Sequence, residues 1–142
     1  MFLGEFTHSL DDKSRLTLPA KFRARLAEGL VMTTGADNCL LVYPMDEFSA
    51  LFEKVSALPM MGRDAANLRR LLFTNAHDAV PDKQNRVVIP QHLREYAGIV
   101  NEAIVVGVGK YIEIWNPEAW QNTKVEVQSQ AANKDVWREL GI

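Results

Sequence analysis

Five long cations, Lys13, Arg15, Lys21, Arg23 and Arg25, fall within one short stretch that contains no acid. Such side chains suit two kinds of contact. Lysine and arginine hold phosphate oxygens, and arginine can also fork onto O6 and N7 of guanine in the major groove. A charge run is often no more than a solvated face, so the cations alone decide nothing. What changes their meaning is a second copy. At a constant offset of 71 residues, Asp11 recurs as Asp82, Arg15 as Arg86, Pro19 as Pro90 and Arg23 as Arg94. The apolar positions follow: Leu16 with Val87, Leu18 with Ile89, Phe22 with Leu93, and Phe2 with Phe73. We read the chain as two copies of one unit. Two Asp-x-x-x-Arg elements imply a dimer-like body with one binding face, the arrangement expected for reading a duplex. The candidate set is Arg15, Lys13, Lys21 and Arg23 in the first copy and Arg86 and Lys83 in the second. Asp11 and Asp82 are assigned to organising the turns. The second copy has Gln91 and His92 where the first has Ala20 and Lys21, so if only one half touches DNA the first is expected to be it, with Arg86 holding the equivalent place more for structure or assembly.

Catalytic readings fare worse. Asp11, Asp12 and Asp82 could offer carboxylates for acid–base work, but each sits in a turn signal, and Asp11 and Asp82 are each followed by an arginine four residues on, which suits an internal pair. His8, His77 and His92 show no ligand spacing, and the single Cys39 cannot complete a zinc site. Gly107, Val108, Gly109 and Lys110 lack the gap and the following helix of a phosphate loop and read as a hairpin turn. Cys39, between apolar neighbours, reads as a small core residue. Met60, Met61 and the three tryptophans read as packing. No nucleophile–base pair is visible, so no enzyme, metal or cofactor is expected.

The elements that must position the cations follow from the pattern. Residues 2–9 alternate loosely and suit a strand. Residues 11–14 are turn chemistry, because Asp and Ser side chains bond nearby backbone N–H groups. Residues 15–18 alternate with period two and predict a short strand, placing Arg15 at a sheet rim. Pro19 predicts a helix start and Gly29 its end. Residues 30–33 and 39–43 predict a hairpin around 35–38. Residues 44–58 predict a helix, with Phe48, Leu51, Phe52, Val55 and Leu58 on one face. Residues 59–62 break it, and 63–73 predict another helix. The second half repeats the order: a strand over 74–79, a turn at 81–85, a strand over 86–89 and a helix from Pro90 to about 97. A second hairpin, over 103–106 and 111–115, precedes a helix capped by Asn116. The segment 121–142 reads either as a docking helix or as partly mobile.

The chain has 142 residues, a formal charge of −2 and a pI near 5.9. It is no polycation, so nucleic-acid binding must rest on a local patch. Halves of this size bury too little surface alone, which calls for a shared core or for help from neighbouring subunits. One cysteine fits a reducing compartment, no apolar run suits a membrane span, and the first residues are not those of a signal peptide.

With these residues in view, the chain resembles the MraZ family, bacterial proteins encoded at the head of the division and cell-wall gene cluster. The resemblance rests on the Met1, Phe2, Leu3, Gly4, Glu5, Phe6 opening and on Asp11, Arg15, Leu16, Leu18, Pro19, Ala20, Lys21, Phe22 and Arg23. The second Asp82 and Arg86 element with Val87, Ile89, Pro90, Leu93 and Arg94 adds to it, as do Ile112, Glu113, Ile114, Trp115 and Trp120. Where the family often has Gly before the motif arginine, Ser14 and Asn85 stand here. The resemblance implies an α+β fold: two tandem AbrB-like swapped-hairpin β-barrel units related by a pseudo-twofold, with flanking helices. It divides the chain into a first AbrB-like unit (1–58), a connecting helix (59–72), a second unit (73–122) and a tail (123–142). It implies a cytoplasmic, nucleoid-associated repressor of its own operon. The implied partners are double-stranded DNA, read at tandem G-containing repeats, and further copies of the chain in a homo-oligomeric ring. No membrane or small-molecule substrate is expected. The competing expectation is an antitoxin-like or scaffold protein that binds a partner through 44–58 and 63–73.

Overall fold

The computed structural model describes residues 1–59, 62–131 and 133–142. It is an α+β fold in which the two repeats are interleaved rather than set side by side. The first repeat supplies β1 (Phe2–Ser9), β2 (Arg15–Thr17), the short helix α1 (Arg23–Leu26), and the hairpin of β3 (Leu30–Thr34) and β4 (Leu40–Pro44). Helices α2 (Met45–Ser56) and α3 (Arg63–Thr74) lead to the second repeat. That repeat comprises β5 (His77–Ala79), β6 (Arg86–Val88), α4 (Gln91–Ala97), and the hairpin of β7 (Glu102–Gly109) and β8 (Ile112–Trp115). Helices α5 (Pro117–Gln130) and α6 (Lys134–Glu139) close the chain.

The main sheet runs β1-β7-β8-β4-β3-β5, and β2 pairs only with β6 in a separate two-stranded ribbon. The order is symmetric about its centre. β4 and β8, the equivalent strands of the two repeats, pair with each other, and each repeat's first strand pairs with the other's hairpin. Each half therefore completes the other's sheet, which answers the shortage of core that either would meet alone. The matched apolar positions share one core: Leu16, Leu18 and Phe22 with Val87, Ile89 and Leu93 are all buried in the same cluster. Phe22 meets Phe2 and Phe6 edge to face, at centroid distances of 5.0 and 5.5 Å.

Several local expectations are corrected. After Pro19 the chain makes a 3-10 turn (Ala20–Phe22) and then only a single α turn, whereas Pro90 opens the regular α4. The strand expected over 74–79 is confined to His77–Ala79, because α3 continues through Thr74. The match of Phe2 with Phe73 has no structural counterpart: Phe73 lies in α3 against Phe48 and Phe52. Trp115 is buried, with Trp120 against it at 5.5 Å, but Trp137 is 45% exposed and joins neither buried cluster among the described residues. Of the helix break read at 59–62, Met60 and Met61 lie outside the described residues. The hairpin at 107–110 and the side-chain cap by Asn116, which accepts from the Ala119 N–H at 3.0 Å, are as expected. No helix among the described residues is long and apolar enough to cross a membrane.

Candidate nucleic-acid interface

The β2–β6 ribbon is the point at which the repeats meet. Arg15 stands opposite Val88, Leu16 opposite Val87, and Thr17 opposite Arg86. This register maps onto itself when the repeats are exchanged, so a pseudo-twofold passes through the Leu16–Val87 pair. Flanking backbone bonds obey the same symmetry: the Leu18 N–H donates to the Asn85 carbonyl, and the Ile89 N–H to the Ser14 carbonyl, both at 2.9 Å. Leu16 and Val87 point into the core. Side chains alternate across a strand, which leaves Arg15, Thr17, Arg86 and Val88 on the outer face.

Each arginine is aimed by the aspartate four residues before it. Oδ1 of Asp11 accepts the backbone N–H groups of Lys13 and Arg15 at 3.0 and 2.9 Å, and Oδ2 accepts Nε of Arg15 at 2.7 Å. Asp82 repeats the arrangement with Gln84 and Arg86 at 2.9, 2.8 and 2.8 Å. These turns bring the chain round through a left-handed residue, Ser14 and Asn85 both having φ of 59°. That explains why glycine suits the position, and why Asn, which tolerates this region, can stand there. The Arg15 backbone N–H, followed by its guanidinium and the Lys13 N–H, holds the Asp11 carboxyl below the usual aspartate value, against partial desolvation. Arg86 and Gln84 do the same to Asp82. Both carboxylates are therefore charged clamps rather than proton donors.

The two corners touch. Nη1 of Arg86 lies 3.9 Å from Oδ2 of Asp11, so one carboxylate serves arginines of both repeats. Each arginine commits Nε to its own aspartate, and the terminal nitrogens of Arg15 and Arg86 form no hydrogen bond among the described residues. The pair can present two forked donors side by side. Lys13 and Lys83 are exposed on the two turns. Arg23 joins the site from α1, where its Nη2 donates to the Lys83 carbonyl at 3.0 Å and ties the first helix to the second turn. Lys21 is exposed beside Phe6, its Nζ 5.7 Å from the ring centroid.

The fifth cation of the run, Arg25, lies outside the candidate set, and the fold engages it elsewhere. Arg25 forks onto Asp46 at 2.9 and 3.0 Å and approaches Glu47 at 3.7 Å. The acid-free run in sequence is thus not acid-free in space. In the second repeat Arg94, the counterpart of Arg23, instead donates from Nε to the Ile89 carbonyl at 2.9 Å. The helix after Pro90 is accordingly poorer in free cations than the one after Pro19.

Comparison with known proteins agrees with this doubling. The family described as "MraZ protein, putative antitoxin-like" matches residues 1–71 and again 72–139, two successive copies covering nearly the whole chain. The chain belongs to the MraZ family. A protein of Herpetosiphon aurantiacus named transcriptional regulator MraZ is 54% identical over 121 residues, 85% of either chain. Proteins of the same name are 42% identical over 93% of this chain in Roseiflexus castenholzii and 47% over 94% in Salinispora tropica, covering 92% and 94% of those chains. These MraZ relatives are named for regulation and not for catalysis, and the enzymatic readings fall away.

Three residues of the site were not singled out from the sequence as part of it. Asn85, buried, donates from Nδ2 to the Leu18 carbonyl at 3.0 Å and locks the two strands together. Thr17 and Val88 complete the outer face of the ribbon. The period-two pattern around Leu16 and Leu18 already marked Thr17 as outward. Its pairing with Arg86 depends on a register that only the folded ribbon defines.

Proposed function

We propose that this chain is a sequence-specific DNA-binding regulator of transcription, a repressor acting in the cytoplasm on nucleoid DNA. Its targets are tandem G-containing repeats upstream of its own division and cell-wall operon. The observation that carries the reading is the pair of aspartate-clamped arginines, Arg15 and Arg86, on one exposed ribbon. A two-stranded ribbon fits the major groove, where guanine offers two acceptors to a forked donor. Arg15 and Arg86 read guanine edges, Lys13, Lys83, Lys21 and Arg23 hold phosphates, and Asp11 and Asp82 fix the arginines before DNA arrives. Prior fixing spares the side-chain entropy that a free arginine would lose on binding.

A single ribbon covers few base pairs, so tight binding needs several. Copies of the chain in a ring would set identical ribbons at regular intervals and grip direct repeats together. The MraZ relatives' name, transcriptional regulator, supports the assignment. Footprinting on the DNA upstream of the gene, with random DNA as control and native mass for the subunit count, tests it. Protection of regularly spaced G-containing repeats is expected, and equal binding to random DNA would reject sequence specificity.

A protein-partner reading, antitoxin-like or scaffolding, is favoured by one observation. Phe52, Leu68 and Leu71 leave apolar surface exposed on α2 and α3. The same footprinting separates the two readings, since a scaffold would leave the upstream DNA unprotected.

A further inference from the structure

Of the four side chains on the outer face of the ribbon, two are not cations. Val88 leaves 46% of its surface exposed among charged neighbours. Thr17, its equivalent in the first repeat at the same offset of 71, is exposed as well. Strand pairing places Val88 directly opposite Arg15 and Thr17 directly opposite Arg86. Each arginine therefore has a methyl-bearing neighbour on its own face, and the arrangement is repeated by the pseudo-twofold. Strand preference accounts for β-branched shape at these positions. It does not account for an apolar surface held in water beside two clamped guanidinium groups.

The edge of a base pair in the major groove carries one apolar group, the thymine C5-methyl. Cross-strand partners stand roughly 5 Å apart at Cβ, and successive bases are about 3.4 Å apart along a strand. An arginine and its partner therefore address the same or neighbouring base pairs. We propose that Val88 and Thr17 are specificity-determining residues that receive thymine methyl groups beside the guanines taken by Arg15 and Arg86. The inference rests on the DNA-binding reading and deepens it: the preferred site contains thymine within one step of each recognised guanine. Lys13 and Lys83, on the turns at the ends of the ribbon, supply the charge that draws this face and not another onto the duplex.

The test uses the purified full chain to select duplexes from random sequence. Each thymine of the selected site is then replaced singly by deoxyuridine, which removes only the methyl group. The expected result is a loss of about fourfold in affinity at a thymine next to a guanine, the effect of exposing one buried methyl-sized group. In Val88→Ala the loss should vanish at one such thymine, and in Thr17→Ser, which keeps the hydroxyl, at the other. Both side chains face outward, and unchanged thermal midpoints would certify the fold. Selected sites without thymine beside guanine would overturn the inference while leaving DNA binding intact. So would uracil replacements that are neutral throughout, or methyl effects that persist in both variants. A chain that selects no sequence at all would overturn the DNA-binding reading, and this inference with it.

Discussion

Nη1 of Arg86 lies 3.9 Å from the carboxylate of Asp11 in the other repeat, the same carboxylate that already holds Arg15 Nε at 2.7 Å. Asp11 is thus shared, whereas Asp82 is paired with Arg86 alone among the described residues. The two corners are alike in their backbone and unlike in their ion pairs, and Asp11 is the carboxylate that reaches both arginines.

Replacing Asp11 by Asn should have opposite effects on two kinds of binding. Removing a negative charge from a face that meets phosphate strengthens binding to any duplex. Freeing the arginines lowers discrimination, and each well-placed guanine contact is worth about tenfold or more in selectivity. The predicted outcome, read by titrating operator against random DNA, is higher random-sequence affinity with at least about a tenfold lower ratio between the two. Asp82→Asn should lower the ratio less.

Acid should remove the clamp in a defined direction. Asp11 and Asp82 are held below the usual aspartate value, so their ionised forms favour the folded turns. That stabilisation is complete above the unfolded value near 4 and is lost as pH falls through the lower folded value. Urea midpoints of wild type and of Asp11→Asn with Asp82→Asn should differ at neutral pH, wild type being higher. The two should converge only below about pH 4.

Lys21 is an exposed point charge and tests the phosphate term alone. In Lys21→Ala, affinity should fall alike for operator and random sequences. The slope of log affinity against log salt should become shallower by about one. A selective loss on operator would mean that Lys21 reads bases.

Gly107 is required by close backbone approach across the β1–β7 ladder, where it pairs with Gly4. A Cβ there would stand 2.5 Å from the Leu3 nitrogen and 2.5 Å from the Phe2 carbonyl carbon. Those atoms are main chain and cannot swing aside. Gly107→Ala should cost about 1–3 kcal/mol of stability, measured by denaturant unfolding, with DNA selectivity of the folded fraction unchanged.

Cys39 is buried, and burial, helped by the nearby Glu113 charge, pushes its thiol up to about 12. The thiolate is the reactive form, so a thiol reagent at pH 8 should label unfolded chain quickly and native chain hardly at all.

Much of the candidate site was legible from the repeat itself. An Asp, an Arg four residues on and an apolar-x-apolar triplet encode the clamp, the outward arginine and the inward Leu16 and Val87 within one local segment. What was not legible depends on distant chain. Arg25 is taken by Asp46 and Glu47 across the α1–α2 junction, and no local pattern shows that. The role of Arg23 in holding the second turn needs α1 to be set against the other repeat. The pairing of Thr17 with Arg86 and of Val88 with Arg15 requires the ribbon register. In the fold, hydrophobic periodicity located α2, α3 and both hairpins. The start of β5 was misplaced because Thr74, as a β-branched residue after Phe73, reads equally as strand or as last helical turn, where its hydroxyl in fact bonds the Arg70 carbonyl.

The central claim is that Arg15 on the outer ribbon reads guanine, and the most direct measurement is operator affinity against random-sequence affinity in Arg15→Ala. With the thermal midpoint preserved, the operator preference should fall by about tenfold or more while random-sequence binding changes by far less. An operator preference equal to that of the unmodified chain would contradict the account.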